Sequence, residues 1–405
     1  MGEHYVKSLH KCCVPELPSL GTLSLGELLR IDKPGRYLGG EVNSIVKSEH
    51  DIDVHVALCF PDAYEIGMSH LGLQILYDLF NRDERAWAER VFMPFPDMEA
   101  ALRANAQRLS SLESNRALKE FDVAGFSLQY ELAATNVLAM LELGGVGLYA
   151  AERPDDAPLV IGGGPLAMHP EPFAAFFDAF FLGDAEDFVS ELLGAVRTAK
   201  SGTRRSRQKL LAGLRRSGGF YIPQDFVPRY AADGTLSVID RARAAPEIVE
   251  RRVLPELRAE AAPGKFIVPN IRTVHDRLNI EVMRGCIRGC RFCQAGYIYR
   301  PQRELAPERV LERIRSSAGQ TGFEEVSLLS LSTADYCAIT PLLKRLMDQY
   351  AEDDVLSVSM PSTRVDALSA GMLEQIRRVK KSGFTIAPEA GTQRLRDVIN
   401  KNLAD

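Results

Sequence analysis

The segment EVMRGCIRGCRFCQ, residues 281–294, carries three of the seven cysteines of this 405-residue chain. Cys286, Cys290 and Cys293 follow the pattern C-x3-C-x2-C on a glycine-containing loop directly after a predicted strand. Three thiolates on one loop can ligate a single inorganic centre, and glycines let the backbone wrap closely around it. On a four-iron cube, three protein ligands would leave one iron open for a substrate or cosubstrate. The segment therefore predicts a reactive iron–sulfur centre.

Zinc is the main alternative for such a group of cysteines. A structural zinc site takes four ligands, commonly from two C-x2-C pairs. Here Cys290 and Cys293 form the one such pair of the segment, Cys286 is offset, and no histidine follows. The pattern favours iron over zinc, with unreactive core cysteines as the remaining alternative.

Alternating strands and helices surround the cysteine loop. Strands are predicted at 278–283, 325–330, 355–360 and 383–387, and helices between them at 306–317, 338–350 and 369–379. An earlier series has strands predicted at 54–60, 90–93, 122–128, 158–161 and 177–182, and helices at 68–80, 131–143 and 184–199. Such alternation is typical of parallel sheets covered by helices. It predicts an α/β protein with a doubly wound, Rossmann-like sheet first and a second βα series after it.

The composition narrows the class of protein. With 46% hydrophobic residues the chain can bury more than one core, which excludes a disordered protein. The 49 basic and 54 acidic residues give a net charge of -5, so nucleic acid and anionic membranes are not supported as partners by charge. The basic stretch 204–216 is interpreted as a solvated helix. The absence of an apolar run of roughly 18 residues, of a signal-peptide core and of a disulfide pattern predicts a cytoplasmic protein.

The cysteine loop resembles that of the radical S-adenosylmethionine (SAM) superfamily, down to an aromatic residue, Phe292, just before the last cysteine. In that family the cysteines hold a [4Fe–4S] cluster, whose open iron chelates SAM. One electron from the reduced cluster cleaves SAM to a 5′-deoxyadenosyl radical, which abstracts a hydrogen atom. The resemblance implies a partial (β/α)6 barrel with its site at the C-terminal face of the strands. It also implies SAM and an electron donor such as flavodoxin or ferredoxin as partners.

Four further SAM contacts are implied by positions at the ends of the predicted strands. They are Ser330 and Ser332 after the second strand, Arg364 after the third and Glu389 after the fourth. The family often has a glycine- and acid-containing motif after its second strand, where this chain has hydroxyl groups and Asp335. The alternatives are strand-end capping for the serines, a surface ion pair for Arg364 and a helix N-terminal acid for Glu389.

The upstream α/β series resembles the cobalamin-binding domain of a large radical SAM subgroup. Glycines at its strand ends would let a corrin tail lie against the backbone. The candidate cobalamin-binding residues are Gly125, Ser127, Gly162, Gly163, Gly164 and Gly183. The axial-ligand motif of the family, Asp-x-His-x-x-Gly, is broken in two places. Met68 stands where the Asp should be, and Gly72 follows His70 by two positions rather than three. An empty fold that recognises substrate or docks the barrel is the alternative.

The whole arrangement resembles an uncharacterised bacterial family of radical SAM proteins with a cobalamin domain, with KPGRYLGGE near the start, IGGGP in the middle, the cysteine loop and then PEAGTQRLR. The implied division is an N-terminal extension at 1–50, a cobalamin-binding-like Rossmann domain at 51–200, a linker or small β-rich region at 201–275 and the radical SAM core at 276–405. Cobalamin-dependent methyl transfer to an unreactive carbon is the specific hypothesis. Radical modification of RNA or protein without cobalamin, a non-catalytic electron-transfer or scaffold role, and a zinc-stabilised binding module are the alternatives. Because four βα units are predicted where the family barrel has six, we expect about 70 further residues beyond Asp405.

Overall fold

The computed structural model describes residues 23–201, 206–258, 262–350, 357–361, 371–372, 374–375, 387–401 and 403–404. The described helices are α1 Leu25–Leu28, α2 Tyr64–Met68, α3 Leu71–Asn81, α4 Pro96–Ala104, α5 Ala134–Leu143, α6 Val189–Lys200, α7 Arg207–Ser217, α8 Ala295–Ile298, α9 Pro307–Thr321, α10 Ile339–Tyr350 and α11 Gln393–Val398. The described strands are β1 Val54–Phe60, β2 Ala86–Phe92, β3 Val123–Ser127, β4 Leu159–Gly163, β5 Ala179–Phe181, β6 Phe220–Tyr221, β7 Phe226–Tyr230, β8 Leu236–Arg241, β9 Leu278–Glu281, β10 Met283–Arg284, β11 Arg303–Glu304, β12 Glu325–Leu329 and β13 Ser357–Ser359.

The first sheet has six strands in the order β2-β1-β3-β4-β5-β6. Its first five strands are parallel, and β6 pairs antiparallel with β5. The strand order reverses between β1 and β3, and open α/β sheets bind ligands beside such a switch point, at the carboxyl ends of the strands. The run VHVALCF in β1 is almost entirely buried, because apolar clusters cover both faces of this sheet.

The second sheet has the strand order β13-β12-β9, and all three strands are parallel. Helices α9 and α10 connect these strands, and a third apolar cluster lies between the helices and the sheet. This mixed α/β architecture with mainly parallel sheets confirms the predicted fold class. The predicted strand at 383–387 and helix at 369–379 fall largely outside the described residues. The domain boundaries and the extent of the barrel stay predictions.

The region predicted as a linker, 201–275, contains regular structure. Helix α7 packs beside α6, and β6 extends the first sheet. Strands β7 and β8 form a separate antiparallel hairpin. Among the described residues, no helix has the length and apolarity needed to cross a membrane.

Two helix predictions are corrected by the structure. The helix predicted at 68–80 is two helices, because His70 has an extended backbone and its Nδ1 atom accepts a hydrogen bond from the Leu73 amide as the N-cap of α3. The helix predicted from Asp184 begins at Val189. The Asp184 amide donates instead to the Arg252 carbonyl, and its carboxylate binds arginine side chains. These contacts hold the backbone at Asp184 outside the helix.

Candidate functional site

The three cysteines lie on a loop that leaves the protein body at β10 and returns at β11, two strands that pair with each other. Cys286, Cys290 and Cys293 are partly exposed and form no disulfide bond. The loop begins at Gly285, whose φ is +85° and whose missing side chain would lie 2.5 Å from two carbonyl oxygens. Only glycine fits at this turn, because any side chain would collide with the two carbonyl oxygens.

The donor set of this loop is three thiols, the ligands that iron–sulfur clusters use. Among the described residues, no three His, Cys, Asp or Glu side chains are arranged to hold one metal ion. Each cysteine of an iron–sulfur cube ligates a different iron atom, so three thiols need not converge on one point. Cys286, Cys290 and Cys293 could hold three of the four irons of such a cube.

An arginine of the loop binds an acidic residue in the segment that follows β12. The Arg288 guanidinium forms an ion pair with the Asp335 carboxylate, 2.7 Å from Nε to Oδ2. The hydroxyl group of Ser332 donates to the same carboxylate at 2.7 Å, and Ser332 is buried. Ser330 donates to the hydroxyl of Thr333 at 3.1 Å. The described geometry therefore brings both predicted serines close to the cysteine loop and gives each a hydrogen-bond partner in the protein.

Glu389 also lies close to the cysteine loop. It is exposed, has a φ of +66°, and its carboxylate is 3.2 Å from the Lys401 ammonium group. That ammonium group also lies 5.7 Å from the centre of the Phe292 ring, which is half exposed. Glu389 and Phe292 are thus joined through Lys401, a residue that the sequence analysis does not single out. Arg364 lies outside the described residues.

Two further contacts of the loop have no local sequence signal. The Asn400 side-chain amide donates to the Gly289 carbonyl at 2.9 Å. The Arg284 guanidinium, at the start of the loop, forms an ion pair with the Asp184 carboxylate at 3.0 Å. Because these pairs are separated by 111 and 100 residues in sequence, periodicity and spacing give no indication of them.

A cavity of about 510 Å³ opens at the carboxyl ends of the first-sheet strands. Its volume falls in the range of roughly 300–1,000 Å³ that is typical of small-molecule sites. Of the predicted cobalamin-binding residues, those that line it are Gly125, Ser127, Gly163, Gly164 and Gly183. Gly162 does not line it, because its hydrogen faces the ring of Phe180, which would lie 2.7 Å from an added Cβ. Gly162 therefore serves packing between strands.

The two walls of the cavity differ in chemistry. The α3 wall is apolar and includes Ile75, Leu76 and Leu79. The opposite wall comes from the second α/β series and includes Arg284 and Ser330. The cavity thus lies between the glycine-lined strand ends and the start of the cysteine loop.

His70 lines this cavity, but its Nδ1 atom is engaged as the N-cap of α3. Burial favours the neutral ring and lowers the pKa of His70, although a hydrogen bond with the Gln129 side chain opposes this shift. In the structure His70 thus has a capping role at the start of α3.

Two family models match this chain. Residues 280–404 match the radical SAM superfamily, and residues 72–223 match the N-terminal domain of radical SAM proteins. The first match contains the whole cysteine loop. The second contains the strand-end residues that line the cavity from Gly125 to Gly183.

The chain is also similar to an archaeal protein and to two solved structures. An uncharacterized protein of Methanocaldococcus jannaschii is 24% identical over 354 residues, which are 87% of this chain and 64% of that protein. The fold is similar to that of TsrM from Kitasatospora setae, a radical SAM methyltransferase solved with tryptophan and a SAM analog, with a TM-score of 0.51, 16% identity, and coverage of 85% of this chain and 61% of that one. A second TsrM structure, with cobalamin and a [4Fe-4S] cluster, matches with a TM-score of 0.46 and 15% identity over 81% of this chain and 57% of that chain. The chain thus spans less than two thirds of the length of these relatives.

Proposed function

We propose that this chain, which belongs to the radical SAM superfamily, is an enzyme that holds a [4Fe–4S] cluster on Cys286, Cys290 and Cys293 and uses it to cleave SAM. When bound, the cluster would supply one electron that breaks the bond between sulfur and the 5′ carbon of SAM, leaving methionine and a 5′-deoxyadenosyl radical. The observation that carries the proposal is three partly exposed thiols on one loop, which starts and ends at the paired strands β10 and β11. The match of residues 280–404 to the superfamily supports it.

Residues around the loop would bind and orient SAM. Ser330 lines the cavity and Glu389 is exposed beside the loop, so a hydroxyl group and a carboxylate are available for the amino and ribose groups of SAM. The half-exposed ring of Phe292 would cover the cluster side of the site. Arg364 is proposed for the SAM carboxylate, since a guanidinium group binds carboxylates in a bidentate manner.

We propose cobalamin as a second bound group, in the cavity of the first sheet. The strand-end glycines leave backbone accessible there, and Gly163 has open space beside it. The apolar α3 wall would suit the flat ring system in the tail of cobalamin. Cobalamin would carry a methyl group, which supports methyl transfer to an unreactive carbon as the reaction. An electron donor such as flavodoxin or ferredoxin would reduce the cluster.

The cluster is tested by replacing the cysteines one at a time. We expect Cys286→Ala, Cys290→Ala and Cys293→Ala to lose most of the broad absorption near 400 nm and of the roughly four irons that anaerobic reconstitution gives the unchanged protein. Cys337→Ala is the control, since Cys337 is an exposed cysteine outside the loop. Unchanged iron content in a variant lacking all three loop cysteines would falsify the proposal.

The reaction is tested with SAM and dithionite. Release of 5′-deoxyadenosine by the reconstituted protein separates an enzyme from an electron carrier or scaffold. A corrinoid absorption spectrum in protein expressed with cobalamin separates the cobalamin-dependent reaction from radical chemistry without it. Deoxyadenosine release without a corrinoid spectrum would favour modification of RNA or protein.

A further inference from the structure

The cysteine loop has a narrow base formed by two arginines. The chain enters the loop after Arg284 in β10 and leaves it before Arg303 in β11, and these two residues face each other in the antiparallel pair. All three loop cysteines therefore lie on an excursion of the chain, residues 285–302. A contact that fixes both arginines therefore fixes the two ends of the loop.

One carboxylate makes that contact. Asp184 binds the Arg284 guanidinium through Oδ1 at 3.0 Å and the Arg303 guanidinium through Oδ2 at 2.5 Å. Asp184 is buried, and its Oδ2 also accepts a hydrogen bond from the Leu254 amide at 2.8 Å. Burial opposes ionisation, but the two guanidinium groups outweigh it and hold the pKa of Asp184 below its usual range.

The same short segment forms part of the cavity wall. Residues 183–186 line the cavity, and Glu186 adds a second carboxylate contact to Arg284, at 2.7 Å. Arg284 at the end of β10 and Gly285 at the start of the loop also line the cavity. A group that fills the cavity would therefore press on Asp184 and Glu186, and these carboxylates bear directly on the base of the cysteine loop.

We propose that Asp184 is a positioning residue that couples the cavity of the first sheet to the cysteine loop. This inference rests on the proposed function, because it needs a cluster on the loop. Filling the cavity changes how the loop presents its cluster to SAM, and Asp184 transmits that change. By reciprocity, SAM bound at the cluster changes the affinity of the cavity for its own ligand by the same factor.

The coupling can be measured without a cavity ligand, by a double-mutant cycle. Gly163→Leu fills the cavity with a side chain, and the open space beside Gly163 accepts it. We expect Gly163→Leu to change the dissociation constant of SAM by about fivefold or more and to shift the electron paramagnetic resonance of the reduced cluster, within the usual range of coupled sites. In an Asp184→Asn background the same change should alter SAM binding less than twofold.

Asp187→Asn is the matched control. Asp187 lies on the same segment, but it is half exposed and its ion pair is with Arg258 at 3.4 Å, away from the base of the loop. In this background Gly163→Leu should keep its full effect. Asp184→Glu keeps the charge, so Gly163→Leu should have a larger effect in this background than in Asp184→Asn. If Asp184 acted on stability alone, the effect of Gly163→Leu would not depend on the residue at position 184 in this way.

Each outcome decides the inference. An equal effect of Gly163→Leu in the unchanged and Asp184→Asn proteins, or no effect in either, overturns it. If Asp184→Asn does not fold, Glu186→Gln is used as the background variant in its place. Glu186 lies on the same segment as Asp184, and the change removes its contact to Arg284. If the unchanged protein retains neither iron nor SAM, the proposed function itself fails. If the protein binds iron and SAM but the effects of Gly163→Leu and Asp184→Asn on SAM binding are additive, the coupling is overturned and the proposed function is not.

Discussion

The side-chain amide of Asn400 donates a hydrogen bond to the backbone carbonyl of Gly289, between the first two loop cysteines, with 2.9 Å from nitrogen to oxygen. The same amide lies 3.3 Å from the Arg288 carbonyl, and the Arg291 amide donates to the Ile399 carbonyl at 3.0 Å. The segment after α11 therefore holds the cysteine loop through contacts separate from that of Asp184. An element late in the chain stabilises the conformation that presents the three thiols.

Asn400→Asp should weaken cluster retention. The carboxylate keeps the shape of the side chain and tolerates the φ of +56° at this position, but it cannot donate to the two carbonyl groups it would face. The loss of these bonds costs about 1–3 kcal/mol. We expect the bound iron after anaerobic reconstitution to fall by at least half and chelators to remove the rest faster.

Asn105→Asp makes the same exchange at an exposed site, where the Asn105 amide caps α4 by donating to the Ala101 carbonyl. It should leave the iron content unchanged. Equal iron content in the Asn400 and Asn105 variants would show that the contacts of Asn400 do not support the cluster loop.

Local patterns predict the strands and the loop, but not the contacts that hold the loop. The apolar run at 54–60 predicts a strand with the observed bounds of β1, because a strand buried on both faces has no polar alternation. The cysteine spacing likewise predicts its loop. By contrast, the acids after Gly183 suggest the start of a helix, and only the packed chain reveals that Asp184 binds arginines about 100 residues away. Strand β6 pairs over two residues, too few for any periodic signal.

Gly163→Leu should reduce cobalamin binding. Gly163 ends β4 and lines the cavity, and an added side chain there meets open space rather than protein atoms. The larger side chain would occupy volume that a corrin tail needs, without straining the fold. We expect at least a tenfold loss of corrinoid retained after purification from cobalamin-containing medium, measured by absorption.

Gly194→Leu is the control for this substitution. Gly194 is exposed on α6, and an added side chain there also meets open space. Cobalamin retention should match that of the unchanged protein. If Gly163→Leu retains the corrinoid fully, the cavity is not where cobalamin binds.

Glu389→Gln should weaken SAM binding while leaving the cluster in place. A carboxylate that accepts hydrogen bonds from SAM contributes about 1.5–3 kcal/mol, so removing its charge should raise the dissociation constant of SAM by about tenfold or more. The Lys401 ammonium group loses its ion pair at 3.2 Å, yet it keeps its position near the Phe292 ring. Equilibrium binding of SAM to the reconstituted protein measures the effect, and iron content is the check on the cluster.

Glu308→Gln is the matched control, because Glu308 is exposed and pairs with Arg345 at the start of α9. It should bind SAM like the unchanged protein. If both variants bind SAM equally well, Glu389 acts as a structural acid and not as a SAM contact.

The last prediction concerns a buried charge cluster on β2. The Arg90 guanidinium contacts two carboxylates, those of Glu41 at 2.8 Å and Glu113 at 2.6 Å, and all three side chains are buried. One positive charge cannot fully offset two negative ones. Burial, with the charge of Glu41 added, raises the pKa of Glu113 to about 7 against the opposing effect of Arg90.

Because this pKa lies above the value of about 4.3 in an unfolded chain, ionisation of Glu113 favours unfolding. The stabilising contribution of protonated Glu113 should be complete below about pH 4.3 and fall as the pH rises to about 7, by at most about 1.4 kcal/mol per pH unit. Glu113→Gln is neutral at every pH, so the free energy of unfolding of the unchanged protein, minus that of Glu113→Gln, should decrease from pH 5 to pH 7.5. Trp87, the single tryptophan, lies on the same strand, so its fluorescence in urea reports unfolding there. Parallel pH profiles would mean that Glu113 is ionised in the folded protein throughout this range.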